Sequence, residues 1–147
     1  MGTMVLTQAT AISMLDPLDA AINTGTGTAV LRLHVGVPGT DDTAAPAGAT
    51  LQNINLANPA FGAAASSGGA GSRIVSITLQ TDTPQAVSAT GTVGSFAILN
   101  RNGVQVLKGD VATTGAMLNV DSTTINTAGL AITEASSTIS IALNQTV

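Results

Sequence analysis

The chain has 147 residues with four Lys or Arg and eight Asp or Glu, which gives a formal net charge of −4. Four basic residues cannot build the phosphate-neutralising surface that nucleic-acid binding needs, and the absence of cysteine excludes disulfides, thiolate metal sites and cysteine nucleophiles. No apolar run reaches the roughly 18 residues of a membrane span, and the first residues lack the positive charge of a signal peptide.

The charged fraction of 8% is well below the roughly 25% of an average soluble protein. Thr, Ser, Ala, Gly and Asn take the place of the missing charges, so the surface is expected to be neutral and weakly polar. Such a surface suits tight association with copies of itself or with a large assembly, because charge keeps proteins apart. The length fits a single domain with one core.

The N-terminal part of the chain predicts helix. Apolar residues recur there at spacings of three and four: Ile12, Leu15, Leu18 and Ile22. The pair Asp16-Pro17 divides this pattern, since Asp is a good N-cap and Pro is favoured at the first helical position. We therefore expect helical turns over 8–15, a second helix over 17–23 and a left-handed terminator at Gly25.

From residue 27 onwards the pattern changes to strands. Alternation over 28–37 places Leu31 and Leu33 on an apolar face, and it places Arg32 and His34 on the opposite, exposed face. Further strands are expected over 49–57, 73–80, 85–100, 104–111, 115–120, 129–134 and 137–145.

Two longer loops separate the early strands, at 37–48 and 58–72, and Phe61 is the only bulky anchor of the second loop. Gly91 and Gly94 indicate a bend or bulge within the run at 85–100. Eight or nine short strands after a helical opening are typical of an antiparallel β-sandwich or jelly roll. We expect an arm and short helix over 1–26 and a β-sandwich domain over 27–147.

The stretch "SFAILNRNGVQVLKGD" contains several aromatic and charged residues, which are rare in this chain: Phe96, Arg101, Lys108 and Asp110. An active site, a binding loop and a plain hairpin would each account for it. Asn102-Gly103 is a strong hairpin signal that supplies positive φ angles, and the alternation predicts that the first strand is buried on both sides. One explanation is that the charged residues lie where the chain leaves the core and is exposed to water. The other is that the tip of the hairpin contacts a partner.

Candidate catalytic residues are scarce, with one His and one Glu in the chain. A Ser-His-Asp triad would need His34 as its base, yet its strand position predicts a surface histidine. Zinc needs three or four ligands, and Asp41-Asp42 lacks the spacing of a calcium loop. The sequence therefore predicts no catalytic, cofactor-binding or metal-ligating residue.

The order of several segments resembles a family of small structural proteins of tailed bacteriophages. The segments are "LRLHVGVPG", "ATLQNINLANPAFGAA", "RIVSITLQTDTPQAVSATGTVGSFAILNRNGVQVLKGDV" and "GAMLNVDSTTINTAGLAI". The similarity covers about residues 5–141. The chain departs from the family pattern at Phe96, where a larger aromatic such as Trp is expected, and at Asn100 and Asn102, where Asp is usual.

The resemblance implies a virion protein associated with the head as decoration or with the tail, and no catalytic residues. We expect a non-enzymatic capsid decoration or cement protein, homotrimeric, on the capsid surface of the virion, whose partner is the major capsid protein or another virion protein. The expected docking residues are Met4, Val5 and Leu6 in the arm and Arg101 and Asn102 at the hairpin tip.

The residues of the chain are compatible with two other functions. A tail- or fibre-associated adhesin that binds a host glycan is weakened by the absence of Trp and Tyr, whose ring faces usually bind sugars. An enzyme on a jelly roll, such as a hydrolase, would have to use His34 or Glu134, the sole residues of their types.

Overall fold

The computed structural model describes residues 8–13, 16–41, 44–63, 65–67, 74–84, 87–120, 122–125 and 138–142. This part of the chain forms two short helical segments followed by nine strands in one sheet. All strand pairs are antiparallel except one short parallel pair. The expectation of a mainly antiparallel β protein with a helical opening is confirmed.

The helical opening follows the two-part pattern of the sequence. Helix α1 spans Gln8–Ser13 and helix α2 spans Asp16–Ile22. Helix α2 ends where the amide of Asn23 donates to the carbonyl of Asp19 at 2.9 Å, and Gly25 follows with a φ of 115°. The expected left-handed terminator is therefore confirmed.

The strands are β1 (Val30–Val35), β2 (Thr50–Phe61), β3 (Ala65–Ser67), β4 (Ile74–Pro84), β5 (Gly91–Leu99), β6 (Gln105–Ala112), β7 (Leu118–Asn119), β8 (Thr124–Ile125) and β9 (Thr138–Ala142). Their order in the sheet is β3-β4-β2-β1-β5-β6-β7, with β8 paired to β5 and β9 paired to β4. Strand β1 lies between β2 and β5, and β6 flanks β5 on the other side. The parallel pair joins β6 to β7.

Strand β2 is longer than the sequence predicts. It continues through Asn58 and Pro59, joined by a cis peptide bond, as far as Phe61. Ala60 and Phe61 are buried, so burial in the core outweighs the turn preference of the Asn-Pro pair. Phe61 is the expected anchor, but it lies in a strand. Strand β3 also lies within the expected loop, and the strand expected over 129–134 falls outside the described residues.

The hydrophobic core lies against one face of the central strands. Its buried members are Ile22, Ala29, Leu31, Leu33, Leu51, Ile54, Leu56, Ala60, Phe61, Val93, Phe96, Ile98, Val111, Leu118, Val120 and Ile125. Leu18 packs against this cluster from α2, so the helical opening closes part of the core.

Phe96 fills space that a neighbouring glycine leaves free. It lies opposite Gly109 on β6, and a Cβ at Gly109 would lie 2.8 Å from Cε1 of the ring. Any larger residue at position 109 would therefore displace the ring or the nearby Met117 side chain.

A bulge lies at one end of the pairing between β1 and β5. His34 pairs with Ser95 and Val35 pairs with Val93, so Gly94 is the extra residue. A Cβ at Gly94 would lie 2.6 Å from the carbonyl oxygen of Gly36. The bulge expected from the glycines of this strand is confirmed, and the close backbone approach explains why it needs glycine.

Candidate functional site

The second face of the central strands is polar. Directly opposed residues on neighbouring strands share a face. Arg32 is opposed by Asn53 on β2 and by Ala97 on β5, and Ala97 is opposed by Lys108 on β6. The Nε of Arg32 donates to the Oδ1 of Asn53 at 3.2 Å, so this row is held together across two strands.

The next row of the same face contains the single histidine of the chain. His34 is opposed by Thr50 on β2 and by Ser95 on β5, and Ser95 is opposed by Asp110 on β6. We call these two rows the polar face. The topology thus brings a histidine, a serine and an aspartate into one line across three strands.

The connection between β1 and β2 crosses this polar face. The Nζ of Lys108 donates to the carbonyl of Asp41 and, at 3.0 Å, to the carbonyl of Ala44. The side-chain amide of Gln105 donates to the same Ala44 carbonyl at 3.3 Å. Pro46 is buried, whereas its described neighbours from 44 to 49 are exposed. We call residues 44–49 the cover segment.

The far end of the cover segment is fixed by a close backbone contact. Gly48 has a φ of 89°, and a Cβ there would lie 2.2 Å from the carbonyl oxygen of Val35. The amide of Val35 donates to the carbonyl of Ala49 at 3.0 Å. The end of the cover segment therefore extends the pairing of β1 with β2, and it needs glycine at position 48.

His34 is buried beneath this connection, with only 4% of its surface exposed. The prediction of a surface histidine is wrong. Alternation along a strand correctly separates the two faces, but it does not show that a distant loop closes over the second one. Ser95 and Ala97 on the same face are also buried, so β5 is buried on both sides, as expected.

Within the described ranges, no hydrogen bond reaches either ring nitrogen of His34 or the Oγ of Ser95. Burial lowers the pKa of His34, and the positive charge of Arg32 lowers it further. The backbone of Gly48 acts in the opposite direction and raises the pKa, although its geometry does not meet that of a hydrogen bond. The net effect lowers the pKa, so the ring is neutral near pH 7.

The row of His34, Ser95 and Asp110 does not form a catalytic triad. A triad needs a hydrogen bond from the nucleophile to the base and another from the base to the carboxylate. His34 has neither bond. The carboxylate of Asp110 instead accepts the amide of Met117 at 3.0 Å, and its side chain is exposed. Across the described ranges, no three His, Cys, Asp or Glu residues are grouped closely enough to hold a metal ion.

The hairpin between β5 and β6 has a different turn from the predicted one. Among the described residues only glycines have positive φ, so Gly103 carries the positive φ of this turn, at 77°, and Asn102 does not. The amide of Gly103 donates to the carbonyl of Asn100 at 2.8 Å. The prediction that both Asn102 and Gly103 take positive φ angles is therefore wrong. A three-residue loop ending in a left-handed glycine connects the strands.

Asn100 is the residue that organises this turn. Its Oδ1 accepts the amides of Asn102 at 3.0 Å and Val104 at 2.9 Å. Asn100 is itself buried. The Asn100 side chain thus accepts hydrogen bonds from backbone amides two and four residues ahead. These bonds stabilise a turn in which Asn102 does not take the positive φ angle of the predicted Asn-Gly turn.

The hairpin tip packs against the segment that follows α2. The amide of Gly27 donates to the carbonyl of Arg101 at 3.1 Å, and a Cβ at Gly25 would lie 2.4 Å from the Oδ1 of Asn102. The structure thus brings the expected contact residues Arg101 and Asn102 together at one tip. The other expected contacts, Met4, Val5 and Leu6, lie outside the described residues.

This packing was not predicted from the sequence, although the glycines of "TGTG" could have indicated a close approach by another segment. Arg101 is half-buried and Asn102 is exposed, and Val104 beside them is 59% exposed. The tip therefore combines a fixed backbone with accessible side chains.

Comparison of the chain with protein-family models, curated proteins and solved structures finds no match. In the part of the chain that the structure describes, neither helix is long and apolar enough to cross a membrane.

Proposed function

We propose that the protein is a non-enzymatic structural protein of a tailed-phage virion, a decoration or cement protein that binds and stabilises the major capsid lattice. In this proposal the strands form a sandwich or jelly-roll arrangement and the protein acts as a homotrimer on the capsid surface. The observation that carries the proposal is a surface with very few charges on which large apolar side chains stand exposed.

Among the described residues, the exposed large apolar side chains are Val37 (70%), Val104 (59%) and Met117 (39%). Each lies in a connection between strands or at a strand end, where side chains project from the sheet. Each alone would contribute a weak contact. A trimer that places several such contacts on a repeating lattice gains affinity through multivalency without needing a deep pocket.

The hairpin tip supports the same proposal through its rigidity. Asn100 fixes the turn from within, and Gly27 fixes the backbone of Arg101 from outside. A contact surface that is already ordered loses little conformational entropy on binding. Arg101 and Val104 are accordingly the described residues that we expect to touch the lattice.

The deciding experiment adds purified protein to expanded empty heads that lack it. Saturable binding with a higher melting temperature of the heads is expected. Absence of both would overturn the proposal. Clear hits on a glycan array would favour the adhesin function instead, and a measured turnover abolished by His34→Ala would favour an enzyme.

Two variants locate the contact. Arg101→Ala and Val104→Ser should each weaken binding to heads while leaving the melting temperature of the free protein unchanged, because neither side chain is buried in the core. Thr114→Ala, a change at an exposed residue of the turn between β6 and β7, is the control and should bind like the unaltered protein. Equal binding by all three would exclude the hairpin tip as the contact.

A further inference from the structure

We propose that the cover segment, residues 44–49, is an acid-released cover that moves off the polar face when His34 becomes protonated. The proposal is independent of the capsid function. It rests on a buried imidazole without partners, on the few bonds that hold the cover segment, and on a sheet that cannot itself rearrange around the ring.

The imidazole is in a position that disfavours its charged form, although the backbone of Gly48 acts weakly in the opposite direction. Protonation would give both ring nitrogens a hydrogen to donate, and neither nitrogen has a hydrogen-bond partner in the closed arrangement. A buried charge without partners costs far more than a neutral ring. Water must therefore reach the ring before a proton can be held there stably.

Water can reach the ring from one side only. On the other side of β1 and β5 lie Leu33 and Phe96, which are fully packed in the core. On the polar side lies the connection that carries the cover segment. Admitting water from the core side would require unfolding, whereas admitting it from the polar side requires only that the cover segment move.

Between described residues, the bonds that hold the cover segment are few and near solvent. At one end, Lys108 and Gln105 donate to Ala44, and both bonds are exposed. At the other end a single backbone bond joins Val35 to Ala49. Exposed hydrogen bonds of this kind contribute little to stability, so local opening needs much less free energy than global unfolding.

The charged groups around the ring determine the direction of the response. Arg32 on the same strand opposes protonation, and Lys108 on β6 adds positive charge to the same face. Asp110 on β6 and Asp41 in the connection are the described carboxylates nearby, and both are exposed. Strands β2 and β5 present Thr50 and Ser95 to the ring, which carry no charge. Among the described residues, the ring therefore meets no buried carboxylate that could hold it in its charged form.

Hydrogen exchange provides the test. The amide of Val35 and those of the cover segment are measured between about pH 7.5 and about pH 5.5, with correction for the intrinsic pH dependence of exchange. If only the open form takes up the proton, opening should rise about tenfold for each pH unit below the ordinary imidazole pKa of about 6.5. The amides of Arg32 and Ala97, which oppose each other in the pairing of β1 with β5, should keep their protection.

Two variants test the assignment to His34. His34→Gln keeps a neutral polar side chain of similar size, and its cover protection should be independent of pH. Lys108→Met removes one restraint, so it should raise opening at every pH while keeping the same slope. An unaltered protein whose cover protection does not change with pH, or a His34→Gln variant with the same slope as the unaltered protein, would overturn the proposal.

A second measurement decides the question even if His34→Gln does not fold. The chain contains one histidine, so the imidazole signals in an NMR titration of the unaltered protein are unambiguous. Ring protonation should occur over the same pH range as the loss of cover protection. Loss of protection without ring protonation, or ring protonation with the cover segment still protected, would contradict the proposal.

Discussion

The two faces of strands β1 and β5 are both buried, but they are buried by different means. On the core face, Leu33 and Phe96 are covered by side chains from many elements. On the polar face, His34 lies beneath a connection that a few hydrogen bonds hold in the part of the chain that the structure describes. The side chains on the two faces are therefore similarly buried, but the two faces differ in the free energy needed for local opening.

This difference separates two kinds of experiment. Disturbing the core face should change the free energy of global unfolding, because the core is formed and lost cooperatively. Protonating the polar face should mainly change the opening of one segment, because that segment can move without loss of the core.

The largest effect is expected for Phe96→Ala. The ring is fully buried and occupies the space above Gly109, so its removal leaves a cavity that the rigid sheet cannot close. We expect a loss of about 3 to 5 kcal/mol in the free energy of unfolding, measured with urea. Val104→Ala, at an exposed position, is the control and should lose less than about 0.5 kcal/mol. A loss below about 1 kcal/mol for Phe96→Ala would show that the core face is not the cooperative unit.

The next effect is expected for Gly48→Ala, at the end of the cover segment. The new Cβ would lie 2.2 Å from the carbonyl oxygen of Val35, and φ is positive at this position. Backbone strain and displacement together should cost about 2 kcal/mol or more in urea unfolding. Gly39→Ala is the matched control, since its φ is also positive but nothing lies within 4 Å, and it should cost about 1 kcal/mol. Equal costs at the two positions would mean that the contact with Val35 is unimportant.

Much of the fold follows from the sequence because local patterns determine it. The alternation of Leu31 and Leu33 places β1 with the correct face inward, and Asp16-Pro17 divides the helical opening correctly. The length of β2 could not be predicted, because burial of Ala60 and Phe61 is a tertiary effect that overrides a local turn signal. The turn at Gly103 differs from its prediction since the Asn100 side chain supplies bonds that no dipeptide rule includes.

The polar face could not be predicted from local pattern. Strand alternation places Arg32 and His34 on one face, but the cover arises from contacts between residues far apart in the chain, such as Lys108 with Ala44. The pairing of His34 with Ser95 also requires the strand order, in which β1 lies beside β5. The one local signal was the set of glycines near the ends of the β1–β2 connection, because Gly36 and Gly48 both take positive φ.

A smaller effect is expected for Asn100→Ala at the hairpin turn. This change removes the acceptor of two backbone amides, those of Asn102 and Val104, and should cost about 1 to 2 kcal/mol in urea unfolding. Asn100→Asp retains the accepting oxygen and should recover most of the loss. If Asp is as destabilising as Ala, the acceptor is not what stabilises the turn.

The smallest effect on global stability is expected from acidification, and it is the sharpest comparison of the two faces. The pKa of His34 is lowered in the folded protein, so the unfolded chain binds the proton first as the pH falls. The contribution to stability is thus fully present above the ordinary imidazole pKa of about 6.5 and is lost as the pH falls below it. The loss ends once the folded protein also takes up the proton.

Opening of the cover segment should keep this loss below that of any substitution above, because the folded protein can hydrate the ring at only local cost. Urea unfolding at about pH 7.5, 6.5 and 5.5 measures it, and His34→Gln should show a flatter dependence. A free energy of unfolding that increases on acidification would contradict the sign. A loss as large as that of Phe96→Ala would mean that the polar face is buried as cooperatively as the core, and that the cover segment does not open by itself.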